Sequence, residues 1–207
     1  MSIPITMHRK SLGEGQRFFP YFYLFLFSFS LFGFLPPGAV SAQGTAREKL
    51  SPFDLLAEEA TLLNKRGQAD QVISLLEPSQ NDPKNGSALF FNELGVAYRQ
   101  KGKLSEAVGA YRAALAREPE NPVIMKNLGD AHLLKKEYPP AVEQYEKALQ
   151  SNPRFHQAHA SLGIVYYQMK KYSQALEEFE IVLKLDPQNE QAKKYKEAIL
   201  KKKNSSK

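Results

Sequence analysis

The 207-residue chain contains no cysteine. That excludes disulfide cross-links, a thiol nucleophile and thiolate-bound metal, and it removes the residue to which a bacterial lipoprotein attaches its lipid. Also missing are the glycine-rich loop that cradles nucleotide phosphates, the His-Glu-x-x-His helix of zinc proteases and the Gly-x-Ser-x-Gly turn of serine hydrolases. The carboxylates of Glu177, Glu178 and Glu180 read as the solvated face of a helix, not as an acid–base pair. His156 and His159 lie three apart, a spacing that puts two imidazoles on one helical face, but no third ligand stands near them in the sequence. No enzyme activity, cofactor or metal is therefore expected.

What is present is unevenly spread. Hydrophobic residues at 43% and charged residues at 24% are ordinary for a folded soluble chain. The formal net charge is +6, yet lysine and arginine gather before Phe18 and after Gln191, so no basic face is read and no nucleic-acid partner is expected. Eight of the thirteen phenylalanines fall between Phe18 and Phe34. They sit in an 18-residue apolar run, 18–35, which follows the basic residues His8, Arg9, Lys10 and Arg17. Pro36-Pro37-Gly38 breaks the run, and Val40 and Ala42 then occupy the positions a signal peptidase reads. That is the order of a secretory signal peptide, with cleavage expected after Ala42. The run is also just long enough to span a bilayer, so an uncleaved signal anchor is the alternative. In either case the basic residues stay cytoplasmic and everything after Gln43 crosses the membrane. Membrane contact is expected only through this segment if it is retained. Residues 43–52 read as a linker.

The middle of the chain repeats every 34 residues. Segments 88–121, 122–155 and 156–189 align without gaps. Position 7 is Leu94, Leu128 and Leu162; position 8 is Gly95, Gly129 and Gly163; position 20 is Ala107, Ala141 and Ala175. Position 24 is Tyr111, Tyr145 and Phe179, and position 32 is Pro119, Pro153 and Pro187. Such a period signals stacked supersecondary units. The small residues at 8 and 20 let two antiparallel helices approach closely, and the aromatic at 24 fills the space left between them. Pro at 32 ends the second helix. Asn121-Pro122 supplies an N-cap followed by a proline where a missing N–H costs nothing. Phe90, Phe91, Leu94 and Tyr98 make an apolar stripe at helical spacing.

Leu-Gly-x-x-Tyr, then Ala-x-x-x-aromatic, then Pro resembles the signature of tetratricopeptide repeats. The resemblance implies an all-α fold, a right-handed superhelical solenoid of antiparallel helix pairs. The second copy departs from it at Met125 and His132, the third at His159 and Val182; both histidines replace packing aromatics and read as structural. A divergent helix pair is expected over 53–87, where Lys65-Arg66-Gly67-Gln68 echoes Gln100-Lys101-Gly102-Lys103, although Ala60 replaces the glycine, Glu59 the leucine, and Pro83 is one place off. A lysine-rich capping helix is expected over 190–203, with a frayed tail over 204–207. Its lysines read as charge balance at a helix C-terminus rather than as a lipid or polysaccharide site.

In that family the first helix of each pair lines a concave groove. The resemblance places Asn92, Val96 and Arg99, then Lys126, Asp130 and Leu133, then Gln157, Ile164 and Tyr167 on it. A mixed apolar and polar groove of this kind suits a peptide segment or a partner helix. The clamp by which a subclass of the family grips C-terminal carboxylates is not expected: Lys126 sits at one of its lysine positions, but Asp130 stands where asparagine is needed and would repel a carboxylate, and Asn92 and Val96 stand where lysine and asparagine are needed. The function expected is an extracytoplasmic interaction module, an adaptor or assembly factor. The alternatives are an anchored scaffold at the bilayer surface and a non-catalytic enzyme subunit; after signal and repeats are assigned, no room remains for a separate catalytic domain.

Overall fold

A computed structural model describes residues 50–82 and 84–205. The expected export segment, most of the linker and Pro83 lie outside the described residues. Within them the chain forms nine α-helices and no strand. The helices are α1 (Pro52–Lys65), α2 (Ala69–Leu76), α3 (Ala88–Gln100), α4 (Leu104–Leu115), α5 (Pro122–Leu134), α6 (Tyr138–Ser151), α7 (His156–Gln168), α8 (Tyr172–Leu185) and α9 (Glu190–Ser205), with a single 3₁₀ turn at Glu77–Ser79 after α2. The all-α helical-repeat fold expected from the 34-residue period is the fold observed.

Local chemistry sets the helix starts. Ser51 caps α1 reciprocally with Asp54, and Pro52 occupies the first turn, one residue inside the stretch read as linker. Asn121 accepts from the N–H groups of Val123 and Ile124, with Pro122 behind it. The turn inside each pair is one geometry used four times. Gly67, Gly102, Lys136 and Lys170 all have φ between 60° and 73°. In each case the left-handed residue's N–H and the next N–H reach back to carbonyls of the preceding helix, as in Lys136 N to Leu133 O (2.9 Å) and Glu137 N to His132 O (2.9 Å). Glycine adopts this conformation freely, whereas lysine is held there at a cost of about 1–2 kcal/mol. Gly67 makes the same pair of bonds as Gly102, so the N-terminal helix pair is built like the three repeats that follow it.

Each pair is closed by the contact the sequence singles out. A Cβ on Gly95 would lie 2.6 Å from the Tyr111 ring, and one on Gly129 would lie 2.6 Å from the Tyr145 ring. On Gly163 it would meet Phe179 at 3.0 Å. These three rings, with Ala107, Ala141 and Ala175, are fully buried. Neighbouring units then pack side by side, α4 on α5 and α6 on α7. Successive first helices also meet, α1 with α3, α3 with α5 and α5 with α7, so they line the inner side of the stack. At the far end α9 lies against α8, where Tyr195 stacks on Phe179 with centroids 4.8 Å apart and rings 5° from parallel. Ala192 and Ile199 are buried beneath it. Among the described residues no helix is long and apolar enough to cross a membrane.

Gly129→Ala should therefore lower stability by about 1–2 kcal/mol, since overpacking costs ~1–3 kcal/mol and helix propensity returns up to ~1. Gly163→Ala should cost less, because Phe179 stands further off. Gly109→Ala, exposed on α4 with nothing within 4 Å, should stabilise by about 0.5–1 kcal/mol. Urea midpoints of the three variants check this ranking.

Candidate functional site: the inner face of the stack

Three polar links cross from one first helix to the next. In the first, α1 meets α3: Asn64 Nδ2 donates to Glu93 Oε2 (2.7 Å) and to the Glu93 carbonyl (2.9 Å). Asn92 Nδ2 donates to the other Glu93 oxygen (3.1 Å), so among the described residues this buried carboxylate accepts its hydrogen bonds from amide donors. In the second, Asn127 Nδ2 on α5 donates to Asn92 Oδ1 on α3 (3.0 Å). In the third, Ser161 Oγ on α7 donates to Asp130 Oδ1 on α5 (3.3 Å). The residue reaching back is position 6 every time: Glu93, Asn127 and Ser161. None of these belongs to the docking set read from the sequence. The available signal is a polar residue immediately before each Leu-Gly pair.

The aromatic at position 24 passes between the paired helices and delivers its hydroxyl to this same face. Tyr145 OH donates to Asp130 Oδ1 (2.8 Å), and Tyr111 OH accepts from Arg99 Nε (3.4 Å). Lys126 Nζ lies 2.8 Å from Asp130 Oδ2, one helical turn away. Arg99, Lys126 and Asp130 are thus brought into one charged group, with Tyr111, Tyr145 and Ser161 as its frame. Burial pushes the Tyr111 hydroxyl up to about 12, against the pull of Arg99. Burial and then the Asp130 charge raise Tyr145 as well. Tyr98, pushed up to about 12 by burial and by its bond to Glu77, belongs to the junction with the 3₁₀ turn.

The other residues of the docking set are distributed differently. Val96, Leu133 and Ile164 are half-buried and flank the charged group along the inner helices. Asn92 is buried and occupied by its link to Asn127. Gln157 is exposed at the start of α7. Tyr167 is covered at the C-terminal end: its ring lies 5.3 Å from Tyr195 and 5.7 Å from Tyr172, with Lys202 Nζ 5.9 Å above it. One carboxylate departs from its reading as a solvated face. Glu178 Oε2 lies 2.7 Å from His159 Nδ1, while His159 Nε2 is 3.1 Å from the Pro153 carbonyl. Burial of His159 draws Glu178 into the repeat junction, and the ring that replaces a packing aromatic becomes a polar rivet. His132 is likewise buried, against Glu137 at 2.6 Å.

Residues 92–154 and residues 156–189 match two family models, each described as tetratricopeptide repeat. Among solved structures the chain is similar to PilF of Pseudomonas aeruginosa, at 27% identity and a TM-score of 0.66 over 74% of this chain and 69% of that one. It is similar to the first tetratricopeptide domain of RPAP3, solved bound to the HSP90 peptide SRMEEVD, at 28% identity and a TM-score of 0.55 over 56% of this chain and 91% of that one. MamA matches at 21% identity and a TM-score of 0.64, over 72% and 88% respectively, a likeness of fold alone. No curated protein matches the chain.

The raised tyrosines predict alkaline lability. A hydroxyl whose folded pKa lies above its unfolded value of 10 contributes stability that is complete below pH 10 and is lost as pH climbs through 12. For buried Tyr111 this amounts to about 2–3 kcal/mol. Tyr111→Phe should change stability at pH 8 by under about 1 kcal/mol, because only one long hydrogen bond is removed. It should also make the loss between pH 8 and 11.5 visibly smaller. Urea unfolding of both proteins across that range measures it.

Proposed function

We propose that the chain is an exported, non-catalytic protein-binding scaffold that holds a peptide segment or a helix of its partner against the inner face of α3, α5 and α7. The observation that carries this reading is the composition of that face: a charged group at Arg99, Lys126 and Asp130, set between half-buried Val96, Leu133 and Ile164. Apolar flanks supply contact area, while the polar centre fixes register. The RPAP3 domain, which carries the same repeats, holds a peptide in its solved complex. This chain lacks the residues for a two-carboxylate clamp, so the segment it takes is of another kind. Export rests on the basic start, the apolar run 18–35 and the small residues before Gln43. The scaffold then works in the periplasm or outside the cell, in assembly of an envelope or secreted complex. If the apolar run is retained, the same groove organises a complex at the bilayer surface.

Two measurements test this. A photo-crosslinking residue at Leu133 or Val96, introduced into the protein in its host, should capture one discrete partner, whereas the same residue at exposed Lys147 on α6 should not. No capture, or equal capture from Lys147, defeats the groove. N-terminal sequencing of the isolated protein should give Gln43. An intact 18–35 segment selects the anchored form, and an unprocessed chain recovered from cytosol defeats export.

A further inference from the structure

The charges on the inner face are not matched pair by pair. Lys126 is paired with Asp130 Oδ2 at 2.8 Å. Asp130 Oδ1 already accepts from Tyr145 (2.8 Å) and Ser161 (3.3 Å), so both oxygens of that carboxylate are engaged. Glu93, the other carboxylate buried on this face, takes its donors from Asn64 and Asn92. Arg99 is left over. Among the described residues it lies within ion-pair distance of no carboxylate, and its one hydrogen bond is the long contact from Nε to the neutral Tyr111 hydroxyl (3.4 Å). Asp130 attracts it only at longer range.

A guanidinium is a planar fork of five donors and never loses its charge. Here it is half-buried, with Val96 one turn before it on α3 and Leu133 at the equivalent position of the next repeat. Partial removal from water without an anion is unfavourable, and the same surroundings strengthen an ion pair once one forms. Glu93 is held by amides towards α1, so of Arg99, Lys126 and Asp130 it is Arg99 that has no anion in direct contact.

We propose that Arg99 anchors a single internal aspartate or glutamate side chain of the protein segment that docks in the groove, a proposal that rests on the groove reading above. The charge count selects an internal side chain over a chain terminus. A terminal aspartate or glutamate brings two carboxylates, but of Arg99 and Lys126 only Arg99 has no anion beside it among the described residues, and the Asp130 charge repels the second anion. An internal acidic residue brings one, and its apolar neighbours in the segment meet Val96 and Leu133. Lys126 has a different role: by holding Asp130 it keeps that carboxylate from closing on Arg99.

The full chain, ¹⁵N-labelled and kept in a neutral maltoside detergent, tests this through the side-chain Nε–Hε resonances of its arginines. The probes are N-acetyl-glutamate N-methylamide, its glutamine counterpart, and N-acetyl-glutamate with a free α-carboxylate, all at constant ionic strength. The Arg99 resonance, assigned by its loss in Arg99→Gln, should shift saturably with the first probe and stay still with the second, while exposed Arg112 moves with neither. The two-carboxylate probe should bind wild type no better than the first. In Asp130→Asn, which keeps an acceptor for Tyr145 but frees Lys126, affinity for the first probe should rise ~5- to 10-fold as a like charge is removed, and the two-carboxylate probe should become the stronger ligand. An equal response to the glutamine probe, an equal response at Arg112, or unchanged affinity in Asp130→Asn overturns the proposal. So does undiminished crosslinking of the partner through Leu133 in Arg99→Gln, a result that leaves the groove reading standing. Absence of that crosslink in the wild type strikes the groove itself.

Discussion

The contact of a missing side chain with an aromatic ring governs this molecule. Where position 8 has no Cβ, the ring at position 24 lies directly against the backbone of the partner helix, and the two helices come close enough to exclude water. The same closeness has a second consequence. It lets a tyrosine rooted in the second helix of a pair extend its hydroxyl through to the first helix, on the inner face. Tyr145 reaches Asp130 and Tyr111 reaches Arg99 by this route. Packing and surface chemistry are therefore set by one residue pair: the ring makes the core, and its hydroxyl helps order the groove.

Phe179 shows what happens without the hydroxyl. The third repeat has the glycine and the ring but no polar reach to its inner face. Tyr195 of α9 stacks there instead, and Tyr167, which otherwise belongs with Arg99 and Leu133 by position, goes under the same cap. The change from tyrosine to phenylalanine thus coincides with the end of the accessible inner surface. The stack terminates by half-covering its next groove position, Tyr167, with the cap, while lysines on α9 keep the cap in solution.

How much of this was legible in the residues depended on whether a position needed one side chain or accepted several. Glycine at 8, alanine at 20 and the aromatic at 24 tolerate almost no alternative, so they recur and the fold is readable from them. The turns were half legible. Gly67 and Gly102 announce a left-handed residue, whereas Lys136 and Lys170 adopt the same conformation with only their place in the 34-residue register, position 15 with Gly102, to mark it; the hydrogen bonds of the turn hold them there. Position 6 was not legible. Glutamate, asparagine and serine each make the crossing link with different atoms, so no common residue type appears, and a polar side chain on a helix looks solvated until its neighbour is in place. Glu178 misleads in the same way: a run of glutamates reads as a wet face, yet one of them is drawn inward by a histidine that has replaced an aromatic.

The links at position 6 also bear on why the groove can be both ordered and receptive. The links from α3 to α5 and from α5 to α7 join first helices that touch only lightly, whereas the apolar contacts there lie deeper, between first and second helices. Hydrogen bonds of this kind contribute about 1 kcal/mol each, far less than a buried ring, so they hold little of the fold together. Their effect is on orientation. With Asn92 linked to Asn127 and Asp130 to Ser161, the inner face has few donors or acceptors free to rearrange, and Arg99, without an ion-pair partner among the described residues, is tethered beside them through Tyr111. A surface whose polar groups are largely committed to one another loses little entropy on binding and discriminates through a charge that still lacks a partner.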